Sequence, residues 1–434
     1  MPAGNYSSTM CAELNRLANG GNYPSRTAFL DEQGAANKWA GTTGKSLVAA
    51  LNIKNGTTNP SLFKNLGAVC NALASTTGKS PLAALTSISG VTAVGYFAYG
   101  RSNGNNAIYA YTFSDDSGIG SATTNLSAIT IGVNGNAFTG DTSPGAILFG
   151  EGYTGSTGTT STMRAYQYTT AAGIGTAYTA VTSGTTYQSM TQGVFASGYG
   201  AVGFALNSDT SRFKMYPWSD STGFGTAYSG TGVTDSAQSM SWARNNEIVT
   251  FGWAGSGAVG DRTSLRTYSW TNASGLGTQF TTHALTGPRG SVTSVGVNNS
   301  SNVIWGTGTY DGHLHFLTYT SSGYGTYLGS VTYSIGYMNG AGFNSTDTQM
   351  VASCTNSTPR GYAWSNTTGV GTQYSNPSSF TATNQGRNKV TFTSSDKSVV
   401  IGQDTYAWSA TGFGTKYAVA AGLPATVATA VLGK

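Results

Sequence analysis

Few residues in this chain have the types and spacing for chemistry. His313-Leu-His315 could set two imidazoles on one strand face, with Asp311 nearby. A zinc site wants three or four ligands, and His283 is the only other histidine, so no metal is expected. Gly44-Lys45-Ser46 and Gly78-Lys79-Ser80 look like the end of a phosphate-binding loop. That loop needs a Gly five positions before the second Gly, where Trp39 and Leu73 stand, and helix rather than strand is expected before both copies. Nucleotide binding is therefore not expected. Cys11, Cys70 and Cys354 form neither a CxxC pattern nor a disulfide framework. No Ser-His-Asp or Cys-His constellation stands out. The sequence assigns no catalytic residue and no cofactor, and the expectation is a protein that is not an enzyme.

The elements that would position any site are easier to read. A Gly-x-Gly-Thr/Ser unit recurs seven times, beginning at Gly118, Gly173, Gly223, Gly275, Gly323, Gly369 and Gly412. An aromatic stands four or five residues before each: Phe113, Tyr168, Trp218, Trp270, Tyr319, Trp364 and Trp408. A second aromatic often follows the Thr by two positions, as at Tyr178, Tyr228, Phe280, Tyr374 and Tyr417. The expected element is a hairpin whose glycines turn where φ is positive, with Gly225 and Gly414 among those positions. The rings fill the space between neighbouring units.

The steps between copies run from 43 to 55 residues, about what four short strands and four turns require. The last copy shows all four: Val390–Thr393, Ser398–Ile401, Thr405–Trp408 and Thr415–Val419. The first copy lacks its first strand. Val91–Phe97 matches a second strand and Ala107–Tyr111 a third. The C-terminal run Ala425–Val431 has the character to supply the missing one, closing a ring without a free edge. The predicted fold is mainly β: a seven-bladed β-propeller over residues 91–434, preceded by a small α-helical segment over residues 1–90.

Composition agrees with many short strands and tight turns. Charged residues are 9%, aromatics 12%, and glycines number 61 in 434 residues. Residues 1–90 carry seven Lys/Arg against three Asp/Glu, and the remainder fourteen against thirteen. No dense basic run appears, so nucleic acid is not an expected partner. No stretch approaches 18 uninterrupted apolar residues, so no membrane insertion is expected, and the first residues lack the basic and apolar regions of a signal peptide.

The first ninety residues have helical apolar spacing at Met10–Leu17, Ala35–Trp39, Leu47–Ile53, Leu62–Leu73 and Leu82–Ile88. A local motif interrupts them: Asn37-Lys-Trp-Ala-Gly-Thr-Thr, Asn52-Ile-Lys-Asn-Gly-Thr-Thr and Asn71-Ala-Leu-Ala-Ser-Thr-Thr. Such short helices leave little room for a core of their own.

These N-terminal segments resemble those of tailed-bacteriophage virion proteins of the minor tail protein type. The Trp-Ser-x-x-x-Gly-Phe-Gly-Thr-x-Tyr blades are similar to C-terminal propellers of phage structural proteins. The resemblance implies a structural virion component assembled in the host cytoplasm. Its N-terminus would dock on tail or capsid subunits, or on copies of itself, and its propeller would face outward. A carbohydrate-binding propeller that touches a host-surface glycan is the first alternative. The second is a sialidase-like glycoside hydrolase, because Ser114-Asp115-Asp116-Ser117-Gly118 resembles an Asp-box turn. The other copies lack the acid, and the propeller's Asp and Glu are few and scattered, whereas glycoside hydrolysis commonly needs a placed pair.

Overall fold

Residues 32–43, 46–54, 95–102, 105–115, 117–126, 141–143, 145–151, 162–169, 173–182, 189–196, 200–207, 213–228, 236–243, 247–254, 264–280, 283–284, 292–300, 302–308, 312–320, 323–333, 338–354, 357–380, 390–419, 423 and 426–432, with Leu14, Leu17, Ala18 and Cys70, are described in a computed structural model of the chain. The chain divides into two compact units: Met1–Val94 with Phe113–Asp116 and Lys434, and Gly95–Thr112 with Ser117–Gly433.

In the first unit, helix α1 (Glu32–Ala40) and helix α2 (Leu47–Lys54) flank the Asn37 motif. Gly41 takes φ 67°, which a side chain would resist, and Thr42 N–H donates to the Asn37 carbonyl at 2.9 Å, closing α1. The Asn37 amide donates to the Gln33 carbonyl and accepts from the Thr42 hydroxyl, both at 2.9 Å. Ser46 then starts α2, its carbonyl receiving Ala50 N–H. The motif is thus a helix stop and restart. One expectation needs correction: the unit does have a small core, of Leu14, Leu17, Ala35, Ala36, Ala50, Leu51 and Cys70. Small residues let the two helices approach closely, so modest burial suffices. The readings at Leu62–Leu73, Cys70 apart, and at Leu82–Ile88 lie outside the described residues.

The second unit is a seven-bladed β-propeller. Each blade is an antiparallel sheet of four strands. In blades 2 and 4 a further short strand, Val181–Thr182 or His283–Ala284, pairs the third. Blade 7 runs Val390–Phe392, Ser398–Ile401, Asp404–Ser409 and Gly412–Lys416. Blade 1 takes its second to fourth strands from Tyr96–Ser102, Asn105–Ser114 and Gly118–Leu126. Its first strand is the C-terminal Thr426–Leu432, paired antiparallel with Tyr96–Ser102. The chain ends therefore close the ring, and blade 1 presents no open inner edge.

The seven repeat glycines open the fourth strands, and all seven have positive φ. Gly225 and Gly414 do not, which corrects the expectation for the second Gly of the unit. Their role is close approach across the hairpin. A Cβ at either would come within 3.2 Å of the third strand, at Pro217 and at Ala407. The first Gly makes the contact between blades. A Cβ at Gly412 would fall 2.6 Å from Tyr374 Cβ, and one at Gly118 would fall 2.6 Å from Tyr417 Cβ. The second aromatic of one blade thus lies on the first Gly of the next, and Tyr417 carries this contact from blade 7 to blade 1.

The same rings meet the repeat aromatics edge-on. Tyr178 and Trp218 have centroids 5.0 Å apart, Tyr228 and Trp270 4.9 Å, and Tyr374 and Trp408 6.0 Å. Buried indoles find acceptors: Trp218 on Asp220 at 2.8 Å, Trp270 on Asn272 at 3.0 Å, and Trp408 on Gln349 at 2.9 Å. Phe113, Tyr168, Tyr319 and Trp364 are likewise buried.

Tyr168 ties blade 2 to blade 1, accepting Gly95 N–H at 2.8 Å and meeting Phe97 edge-on at 4.6 Å. Burial pushes its phenol up to about 12. In the unfolded chain that phenol ionises near 10, so the stability it contributes is intact below pH 10 and is lost as pH rises towards 12. Melting temperature should fall steeply over that window. Tyr168 alone would account for about 2–3 kcal/mol. Measured from pH 9 to 12, Tyr168→Phe should show a shallower decline than the parent; an unchanged slope would remove Tyr168 as a source.

Candidate functional site

The innermost strands surround the propeller axis. They are Thr426–Leu432, Asp141–Thr142, Ser189–Phe195, Ser236–Ala243, Val292–Val297, Met338–Phe343 and Val390–Phe392. Asp141 is their one ionisable residue. Its carboxylate accepts Phe195 N–H at 3.0 Å from the next blade. The Thr142 hydroxyl donates to the Leu432 carbonyl at 2.7 Å, and the Gln192 side chain accepts Met240 N–H at 2.8 Å. These axial polar groups join blade to blade.

Antiparallel order gives each blade two distinct ends. The turns after the first and third strands lie at one end, and the connection after the second lies at the other. Among the described residues the turn end holds Asp115, Asp220, Glu247, Asp347 and Asp396, with Lys397 as its one cation. Asp220 accepts from Trp218 and from the Ser143 hydroxyl. Asp347, at φ 51°, accepts the N–H groups of Asn299 and Ser300 in the preceding blade. Asp396, at φ 57°, accepts Ser345 N–H at 2.7 Å. Asp220, Asp347 and Asp396 thus hold turns together.

The other end is different. Four residues before the repeat aromatic, near the start of each third strand, stand Tyr109, Arg164, Lys214, Arg266, His315, Arg360 and Asp404. Five of the seven are Arg, Lys or His. Sequence reading missed this set, although aligning the copies on their aromatics exposes it. Arg360 donates to the Thr332 carbonyl at 2.9 Å and lies 4.3 Å from the Tyr333 ring. Asp404 pairs with Lys416 at 2.7 Å.

His313 and His315 do share one strand face, with ring centroids 5.7 Å apart. His313 Nδ1 meets the Thr332 hydroxyl at 2.8 Å, and His315 Nδ1 meets the Tyr327 hydroxyl at 3.2 Å. Among the described residues no three His, Cys, Asp or Glu side chains gather as metal ligands. Burial pushes the Cys70 and Cys354 thiols up to about 11, which suits inert core residues rather than nucleophiles. Gly44, Lys45 and Gly78–Ser80 lie outside the described residues. No helix among the described residues is long and apolar enough to cross a membrane.

Neither a family model nor a curated protein matches the sequence. Solved structures do. A protein of Bacteroides fragilis assigned as a 6-phosphogluconolactonase aligns at TM-score 0.59 and 10% identity, covering 79% of this chain and 99% of its own. The periplasmic gluconolactonase of Pseudomonas aeruginosa aligns at 0.58 and 10%, covering 79% and 98%. A protein of unknown function from Desulfotomaculum acetoxidans aligns at 0.56 and 8%, covering 78% and 98%. The expectation that the chain is not an enzyme is corrected by these matches, since propellers named as lactonases share its fold. That expectation rested on the lack of a metal site, a phosphate loop, a nucleophile constellation and the carboxylate pair of glycoside hydrolysis. A lactone is an ester, and its opening needs only one base and a donor to the oxyanion, so few carboxylates exclude nothing. At such identity the likeness shows the fold: this chain carries the seven-bladed propeller found in those proteins.

Proposed function

We propose that the chain is a structural component of a tailed-phage particle, docked through its helical unit, with the propeller displayed outward. The observation that carries this reading is the Asn37–Ser46 motif. It resembles phage virion segments, and it lies in a helical unit with its own core. Display suits a ring whose blades are tied to each other by side chains around the axis.

The test is incorporation. Cells producing particles would carry a tagged full-length copy, and particles would be purified on a density gradient. The full chain should co-sediment with particles, and residues 91–434 alone should remain at the top. Equal incorporation of the shorter piece would overturn docking through the N-terminus. A second reading, opening of a sugar lactone, rests on the names of the matched propellers. Purified chain assayed with gluconolactone and 6-phosphogluconolactone tests it. Turnover above spontaneous hydrolysis would replace display with catalysis.

A further inference from the structure

The two ends of the propeller carry opposite charge. Among its described residues the turn end has five carboxylates and one Lys. Among the described side chains the opposite end has Arg164, Lys214, Arg266, Arg360 and Lys416 against Asp141 and Asp404. The two carboxylates are engaged, Asp141 by a backbone N–H and Asp404 by Lys416. A stretch that is nearly neutral as a whole, with fourteen Lys/Arg against thirteen Asp/Glu over residues 91–434, therefore has one basic end, and such an asymmetry orients and attracts an anionic partner.

We propose that this basic end binds an acidic polysaccharide, the cations four residues before the repeat aromatics taking its carboxylates. The proposal deepens the display reading, on which it rests for its biological setting. Arg164, Lys214, Arg266 and Arg360 are half-buried, where an ion pair is screened less than on an open surface. A guanidinium matches a carboxylate with two parallel hydrogen bonds. Tyr327, bonded to His315, is 47% exposed, one of two large apolar side chains so exposed among the described residues. A pyranose ring can lie on such a face while its hydroxyls meet Thr332 and His313. The geometry disfavours nucleic acid. Four Arg or Lys in seven blades, set apart by the blade repeat, are no continuous track for successive phosphates.

The experiment uses the purified full chain and polygalacturonate as probe, with dextran and duplex DNA as further arms. Polygalacturonate should bind at 50 mM salt, its Kd should rise at least ten-fold by 300 mM, and dextran should not bind. The double variant Arg164→Glu/Lys214→Glu should weaken binding at least ten-fold, whereas Lys397→Glu at the opposite end should leave it unchanged. Should the charge reversals lower the melting temperature, Arg164→Gln and Lys214→Gln serve instead, each expected to cost several-fold. Absence of polygalacturonate binding at low salt would overturn the proposal. So would an equal loss in Lys397→Glu, or tighter binding of DNA. Binding is measured without particles, so its failure leaves docking untouched, and a failure of incorporation leaves this result standing.

Discussion

Deleting Ala425–Lys434 is expected to give the largest loss of stability of any short truncation, lowering the melting temperature by more than 10 °C and producing aggregates. The segment holds the whole of Thr426–Leu432, whose register against Tyr96–Ser102 runs from Leu432 opposite Tyr96 to Thr426 opposite Arg101. Its loss strips blade 1 of its inner strand and leaves a row of unpaired N–H and C=O groups. It also removes the Leu432 carbonyl that receives the Thr142 hydroxyl, so the tie to blade 2 goes as well. For a domain of this size, 10 °C corresponds to a few kcal/mol or more. Calorimetry and size-exclusion chromatography would check both effects. A monomeric truncation that melts with the parent would show that the ring does not depend on this closure.

Gly412→Val is expected to destabilise by about 3 kcal/mol or more, several times the cost of Gly414→Ala. Two effects add at Gly412. Its φ of 99° is strained for a β-branched residue, at about 1–3 kcal/mol. A Cβ there would also sit 2.6 Å from Tyr374 Cβ, and relieving that overlap pushes apart blades 6 and 7, at about 1–3 kcal/mol more. Gly414 has no positive φ, and its would-be Cβ reaches Ala407 at 3.2 Å, a gap that a small shift relieves. Denaturant melts of the two variants decide the matter. Equal costs would mean that the inter-blade contact at the first Gly carries no special weight.

Much of the fold was legible from local pattern. The Gly-x-Gly-Thr unit and its flanking aromatics mark a hairpin because each residue there answers a local demand: a positive φ, a close crossing, a ring to bury. Seven copies at blade spacing imply a ring, and a first copy short of one strand implies that the C-terminal Ala425–Val431 run supplies it. The same local logic marked Asn37–Ser46 as a helix stop and restart. It went astray at Gly225 and Gly414, because a sequence pair of glycines does not say which one turns and which one yields space. Only the packed hairpin separates those roles, by setting Tyr374 against one and Ala407 against the other.

The surroundings of a candidate site depended on tertiary structure almost entirely. His313 and His315 lie on one strand face, as strand alternation dictates, yet their ring nitrogens meet Thr332 and Tyr327 of the neighbouring strand. The scattered carboxylates read as turn residues, as Asp347 and Asp396 are, and the structure adds that they accept backbone N–H groups from adjacent blades. The cations at Arg164, Lys214, Arg266 and Arg360 are 50 to 94 residues apart in sequence, where no local reading links them. Ring closure gathers them at one end of the propeller and sends the turn carboxylates to the other. Local physics determines each hairpin, its turns and its buried rings. Which charges share a surface is decided by how seven such units close around an axis, because electrostatic neighbours are set by distance in space and not along the chain.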